Sequence, residues 1–426
     1  MTIKVTAANR IGGKISVPGD KSISHRAIML GAIAAGKTEI TGFLNGEDCL
    51  NTVSLFQQLG VEIERHDATS FIVFGKGRNL TGPTVPFLDV GNSGTTIRLA
   101  TGILAGQHFT SQITGDDSIR KRPMKRIIDP LTMMGAEIIS RDGYAPLKII
   151  GQELTGIEYI SPIASAQVKS AILLAGLYAS GDTTVIEPLL SRNHTEKMLE
   201  YFGADITCEG NQAIIVGGTE LSGQRLEVPG DFSSAAFLIA AALLVPGSEL
   251  LITNVGVNPT RTGFLDVVRL MNGDVELHNE RFFGKEEVAD ILVRGSNLTA
   301  INVAGELIPR LIDELPLFAL IASQADGMSI VSDAAELRVK ESDRIETIAQ
   351  ELAKLGVKVE KCEDGFAIIG KQKIRGGTVM THGDHRIGLT MAIAGLIAER
   401  DVEIIGSKSI AISYPDFFAD LKAILK

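Results

Sequence analysis

Cations collect at a few points of this sequence, each beside small polar residues, and a handful of carboxylates accompany them. Lys21, Ser22, Ser24 and Arg26 follow Pro18-Gly19-Asp20 and precede the apolar run 27–35. Pro-Gly ends the short strand-like run 14–17, and Asp20 suits an N-cap. Ser22 and Arg26 stand four apart and would share a helix face. A helix N-terminus has unpaired N–H groups and partial positive charge. Cations in that first turn oppose the dipole, so the pattern invites an anion. A solvated basic helix start would look the same.

Similar groupings recur. Gly91-Asn92-Ser93-Gly94-Thr95-Thr96 opens a helix carrying Arg98, and its small residues would let backbone N–H groups approach a ligand closely. Residues 120–126 hold five cations in seven positions, with Arg122 fixed by the following Pro123. Ser165-Ala166-Gln167 offers a hydroxyl and an amide, and Ser191-Arg192-Asn193-His194 another hydroxyl and cation. N-capping, a Gly-rich turn or a solvated face explains each of these taken alone. Asp313-Glu314 places carboxylates at what reads as a strand-to-helix turn, where Asp313 could be a general base. Lys340, Glu341 and Arg344 precede an amphipathic helix marked by Ile345, Ile348, Leu352 and Leu355. There Lys340 and Arg344 stand four apart, and Glu341 and Arg344 three apart, spacings that also suit a plain salt-bridged helix start. Gly383-Asp384-His385-Arg386 adds a histidine and a further cation. Together these residues suit the positioning of small polyanions and the transfer of protons. No metal-ligand spacing, P-loop or nucleophile elbow appears.

The elements that must position these groups repeat. A strand-like run, a small polar turn and an apolar helix recur at roughly 65–80 residues, enough for a strand–helix–strand–helix unit. Six such turns begin near Gly19, Gly91, Ala164, Gly230, Leu311 and Gly383. Leu59-Gly60, Met134-Gly135, Phe202-Gly203 and Leu355-Gly356 read as helix C-caps before a closing strand, and Met271-Asn272-Gly273 fills the same place in the fourth unit. Pro-Gly-Asp occurs at 18–20 and 229–231, dividing six units into two groups of three. The expected domains are 18–230, and 1–17 with 231–426, sharing a cleft.

The chain has 426 residues and a net charge of −10, which argues against a general nucleic-acid or membrane-surface binder. Three scattered cysteines give no metal spacing and no disulfide set. The first residues lack a signal-peptide apolar region, and the apolar run through 237–245 stops at Pro246. A soluble cytoplasmic protein is expected.

Taken in order along the whole chain, the motifs at 18–26, 91–95, 122–124, 165–167, 338–344 and 384–386 resemble those of the 5-enolpyruvylshikimate-3-phosphate (EPSP) synthase family. The resemblance implies a two-domain α/β enolpyruvyl transferase fold, an inside-out α/β barrel of six βαβαββ repeats. It implies transfer of the enolpyruvyl group of phosphoenolpyruvate to the 5-hydroxyl of shikimate 3-phosphate, the sixth step of the shikimate pathway to chorismate and aromatic amino acids. By that resemblance Lys21, Ser22, Arg26, Ser165, Ala166, Gln167, Arg192, Asp313 and Lys340 hold the acceptor. Lys21, Gly94, Arg122, Gln167, Arg344 and Arg386 hold the donor. Asp313 takes the hydroxyl proton, Glu341 with Lys21 serves the methylene carbon, and His385 supports Glu341. No cofactor or metal is implied, and the expected partners are the two small molecules, for a monomer. Glyphosate, which competes with phosphoenolpyruvate in this family, is an expected inhibitor; Gly94 matches sensitive members, whereas the Ser191-Arg192 turn resembles the branch that includes tolerant ones.

One departure concerns the C-terminus, where Ile412 stands in the place of a lysine found in some members and Lys408 lies nearby. The related UDP-N-acetylglucosamine enolpyruvyl transferases typically have Lys-Asn in place of Lys21-Ser22 and a cysteine in the loop at 114–120, which here has none. A six-unit DNA clamp would need basic helix faces, whereas here the helices behind the cations are apolar.

Overall fold

The computed structural model describes residues 1–426. The chain forms two compact units: Gly19–Val228 with Phe283–Glu286, and Met1–Pro18 with Pro229–Phe282 and Glu287–Lys426. Each has its own apolar core. No helix is long and apolar enough to cross a membrane.

The first unit contains helices α1 (Lys21–Ile33), α2 (Glu47–Gln58), α3 (Gly94–Ala105), α4 (Lys125–Met133), α5 (Ala166–Gly176) and α6 (His194–Tyr201), with three four-stranded sheets. One sheet runs Leu88–Asp89, Thr110–Thr114, Tyr144–Ile150, Glu137–Arg141, and another Glu158–Ile160, Thr183–Ile186, Gln212–Ile215, Ile206–Glu209. In both, the first pair is parallel and the others antiparallel. A parallel pair needs a crossover, which α3 and α5 provide; of the antiparallel pairs only Glu137–Arg141 with Tyr144–Ile150, and Ile206–Glu209 with Gln212–Ile215, are joined by a short turn. The third sheet, built on Ala35–Thr41, takes its parallel edge from Arg225–Glu227, so the returning chain completes it.

The second unit contains α7 (Phe232–Leu244), α8 (Gly263–Leu270), α9 (Leu307–Leu311), α10 (Leu315–Ala322), α11 (Arg344–Lys354), α12 (His385–Gly395) and α13 (Phe417–Ile424). Its sheets repeat the scheme. Gly12–Ser16 lies parallel to Glu249–Gly256, Asn302–Val303 parallel to Met328–Val331, and Gly377–Met380 parallel to Val402–Ile405. Thr2–Val5 closes the last of these sheets antiparallel to Val402–Ile405.

Two kinds of helix follow from two sequence patterns. Every residue of α10 and α12 is buried, and α1, α3, α5 and α7 are buried along nearly their whole length. These helices are apolar all round, so they form the core rather than cover it. By contrast α4 and α11 bury one stripe, Ile127, Ile128 and Leu131 in α4 and Ile345, Ile348 and Leu352 in α11. The core helices pack closely. A Cβ on Gly102 of α3 would run into the carbonyl of Ala171 on α5. Helix ends follow the expected chemistry: Gly60, Gly135, Gly203 and Gly356 adopt left-handed φ, and in the fourth unit Asn272, not Gly273, does so at φ 63°.

Candidate active site

Core helices carry most of their polar residues in their first two turns, and those turns gather the chemistry. Asp20, Ser93 and Ser165 cap α1, α3 and α5 by accepting from Ile23 N at 2.9 Å, Thr96 N at 3.1 Å and Val168 N at 3.5 Å. Lys21, the first residue of α1, pairs with the buried Asp48 of α2. Arg26, one turn further and 4% exposed, donates to Ser22 O at 2.9 Å, Thr195 Oγ1 at 2.6 Å and Ser170 Oγ at 2.9 Å. It thereby ties α1 to α5 and α6. Burial pulls its guanidinium down to about 10, so it stays charged.

His25 does the same for α3. Its Nδ1 lies 2.7 Å from Thr52 Oγ1, which lies 2.7 Å from Thr96 Oγ1, itself 2.6 Å from the cap Ser93 Oγ. Burial, reinforced by the charge of Lys21, pushes the His25 imidazole down to about 3. It is a neutral structural relay. Gln167 is oriented from α3: Arg98 Nη1 donates to its Oε1 at 2.5 Å, and its Nε2 donates to Thr95 Oγ1 at 3.1 Å. Arg122, in extended backbone between the short turn Ile119–Lys121 and α4, donates to Asn92 Oδ1 at 3.0 Å and Ser118 Oγ at 3.3 Å. Arg192, in the loop before α6, is half-buried. The first unit thus brings Lys21, Ser22, Arg26, Gly94, Arg122, Ser165, Ala166, Gln167 and Arg192 to helix starts or the loops beside them.

In the second unit Arg344 is the hub. It opens α11, is 1% exposed, and donates to three carboxylates: Asp384 Oδ2 at 2.8 Å through Nε, Asp313 Oδ1 at 3.1 Å through Nη1, and Glu341 Oε2 at 2.6 Å through Nη2. Burial works against its charge, but Asp384, Glu341 and Asp313 outweigh that and raise its pKa. Burial likewise opposes the Asp384 charge, and Arg344 outweighs it, holding the carboxyl below its usual range. Asp384 also caps α12, accepting from Arg386 N at 2.9 Å. Arg386 lies 3.8 Å from Asp313 and 3.8 Å from the fully buried Glu314, which Ser233 also contacts. His385, buried, is the first residue of α12.

One expectation needs correction. Asp313 does not sit at a strand-to-helix turn, because the one-turn helix α9 precedes it and it lies in the connection to α10. Residues 307–311 carry Pro309 and no cap, so nothing in them announced a helix. Lys340 precedes α11: Asp343 caps the helix by accepting from Glu346 N at 3.1 Å, and Arg344 is its first residue. The close pair there is Glu341–Arg344.

The family model for EPSP synthase (3-phosphoshikimate 1-carboxyvinyltransferase) matches residues 5–421. The chain belongs to the EPSP synthase family. Among EPSP synthase relatives, a 3-phosphoshikimate 1-carboxyvinyltransferase of Brevibacillus brevis is 54% identical over 418 residues, covering 97% of this chain and 98% of the relative. Another of the same name, from Alkaliphilus metalliredigens, is 53% identical over 419 residues, 98% of each chain. The solved EPSP synthase of Acinetobacter baumannii superposes with a TM-score of 0.90 at 44% identity, covering all of this chain and 98% of that one. The C-terminal departure from some EPSP synthases stays visible in three dimensions. Lys408 is exposed on the short turn Ser407–Ile412, and Ile412 is only partly buried.

What sequence reading missed are the pairings that hold site residues in place: Asp48 beside Lys21, Thr195 and Ser170 on Arg26, and Glu314 beside Arg386. A signal existed for some. A charged side chain inside an otherwise apolar helix, such as Lys169, must find a buried partner.

Proposed function

We propose that this chain transfers the enolpyruvyl group of phosphoenolpyruvate to the 5-hydroxyl of shikimate 3-phosphate and releases phosphate. The observation that carries the reading is the Arg344 hub. One guanidinium holds Asp313 on one Nη and Glu341 on the other, at 3.1 and 2.6 Å. Two carboxylates are therefore held on one guanidinium. An addition across a carbon–carbon double bond needs that pair: a base for the attacking hydroxyl and an acid for the neighbouring carbon.

Asp313 accepts the hydroxyl proton as the oxygen bonds to the central carbon of phosphoenolpyruvate. Glu341, assisted by Lys21, delivers a proton to the methylene carbon, giving a tetrahedral adduct. In the second half the new methyl group returns a proton to Glu341, the double bond re-forms and the carbon–phosphate oxygen bond breaks. The hydroxyl proton leaves with phosphate. Ser22, Arg26, Ser165, Ala166, Gln167, Arg192 and Lys340 hold the acceptor with Lys21 and Asp313. Lys21, Gly94, Arg122, Gln167, Arg344 and Arg386 hold the donor. Fixed cations cost no reorganisation as charge shifts to the leaving phosphate, which supports the placement of the donor among them. His385 supports Glu341. The enzyme is assigned as a cytoplasmic monomer.

Phosphate release from phosphoenolpyruvate tests the reading. Release is expected with shikimate 3-phosphate and not with UDP-N-acetylglucosamine. The reverse pattern would assign the chain to the other enolpyruvyl transfer.

A further inference from the structure

We propose that Lys169, with Glu187 and Glu196, is a positioning cluster that sets the affinity for the acceptor without touching it. The proposal rests on the assignment of Ser165, Gln167 and Arg192 to acceptor binding. Lys169 lies one turn into α5 and is 2% exposed. Its ammonium has three hydrogens, and three acceptors surround it: Glu187 Oε2 at 2.6 Å, Glu196 Oε1 at 2.7 Å and Ser191 O at 3.4 Å. Burial opposes the Lys169 charge, but Glu196 and Glu187 outweigh it and raise the pKa. Lys169 keeps its charge.

What the cluster grips is backbone. Glu187 Oε1 accepts from Ser165 N at 3.0 Å, and its Oε2 accepts from Ser191 N at 3.2 Å. Ser191 is therefore held at both its N–H and its carbonyl, immediately before Arg192. Ser165 is held at its N–H immediately before Ala166 and Gln167. Glu187 itself is fixed at the end of Thr183–Ile186, its N–H donating to Asn211 O at 3.0 Å while Asn211 Nδ2 contacts its carbonyl. Glu196, in the first turn of α6, suits the helix dipole. Arg26 grips Ser170 and Thr195, the next residue on α5 and the preceding one on α6, so two buried cations bind the same two helix starts at adjacent positions.

A buried ion cluster is a poor device for stability, since apolar side chains of similar volume often do as well or better. Its distinctive property is direction. Here the directed bonds end on the amides of two turns, one carrying Ser165 and Gln167, the other Arg192. Loosening either turn should weaken acceptor binding and leave the chemical step alone.

Glu187→Gln tests this. It keeps the shape, but one carboxamide oxygen cannot accept from both amides, and the charge opposite Lys169 is gone. The acceptor KM is expected to rise about tenfold, the effect of one directed hydrogen bond. Donor KM and kcat should stay within about threefold, whereas general loosening of the fold would lower kcat through the active fraction. Should Glu187→Gln fail to fold, the neutral triple variant Lys169→Met, Glu187→Gln, Glu196→Gln, which strands no charge, decides by the same split. A folded variant with unchanged acceptor KM, or with both KM values raised equally, overturns the positioning role. If the wild type fails to turn over shikimate 3-phosphate, the parent reading falls and this one with it.

Discussion

Gly94→Ala should weaken donor binding while leaving the fold intact. Gly94 is the first residue of α3, and its φ lies outside the left-handed region, so alanine meets no backbone strain. The new Cβ would sit 2.9 Å from Arg122 Nη1 and 3.1 Å from Arg98 Nη1. Comfortable contact requires each guanidinium end to retreat by about 0.5 Å. Both are ends of flexible side chains, so the clash is relieved by motion rather than by unfolding. Arg122 would shift off its bonds to Asn92 at 3.0 Å and Ser118 at 3.3 Å, and Arg98 off Gln167 at 2.5 Å. A charge-assisted hydrogen bond contributes about 1.5–3 kcal/mol, and weakening one by a third to a half costs about 1 kcal/mol. The donor KM should then rise about fivefold. Glyphosate is longer than phosphoenolpyruvate and meets the same intrusion, so its inhibition constant should rise more than the donor KM. Helix propensity favours alanine over glycine, so Tm should hold or rise slightly. Steady-state kinetics with both ligands and a thermal melt make the check. An unchanged donor KM with an unchanged inhibition constant would refute the placement of Gly94 and Arg122 at the donor.

Asp313→Asn should lower kcat by roughly 10²–10⁴ while the acceptor KM changes little, because the amide still accepts from Arg344 but cannot take a proton; near-normal turnover would remove Asp313 as the base. His25 makes stability fall in acid: the unfolded chain takes up a proton below its ordinary pKa of 6.5, and the folded chain refuses it down to about 3. Over that window its contribution is lost at up to about 1.4 kcal/mol per pH unit as pH falls. His25→Gln should therefore flatten the dependence of urea midpoint on pH between 6.5 and 4, whatever its effect at neutral pH, and an unaltered slope would contradict the neutral relay. Gly102→Ala should destabilise by roughly 1–3 kcal/mol, because the methyl would meet the Ala171 carbonyl where α3 and α5 approach; a melt that does not shift would show that the helices separate freely.

Local chemistry in this chain is legible because it is short-range. Asp20 and Ser93 were readable as helix starts from their own neighbours, and the glycines after α2 and α11 as helix ends, since capping depends on residues three or four positions away. Core helices such as α10 were readable from their unbroken apolar composition. Residues 307–311 were not, since a single turn holding Pro309 carries too little pattern to outweigh a loop. The Arg344 hub was half legible: Glu341 lies three residues before it, but Asp313 and Asp384 lie 31 and 40 positions away and reach it only through the packing of α10, α11 and α12. Lys169, Glu187 and Glu196 illustrate the same limit. Lys169 stands out as a charge in an apolar helix, but Glu187 and Glu196 look unremarkable in sequence, and only the fold gives the three a common centre.

The most direct measurement is the mass of the product formed from shikimate 3-phosphate and phosphoenolpyruvate in heavy water. If Glu341 protonates the methylene carbon and later takes a proton back, the enol ether formed must carry deuterium in its methylene group, and Glu341→Gln must suppress product formation. No product at all, or a product free of deuterium, would contradict addition and elimination at this site.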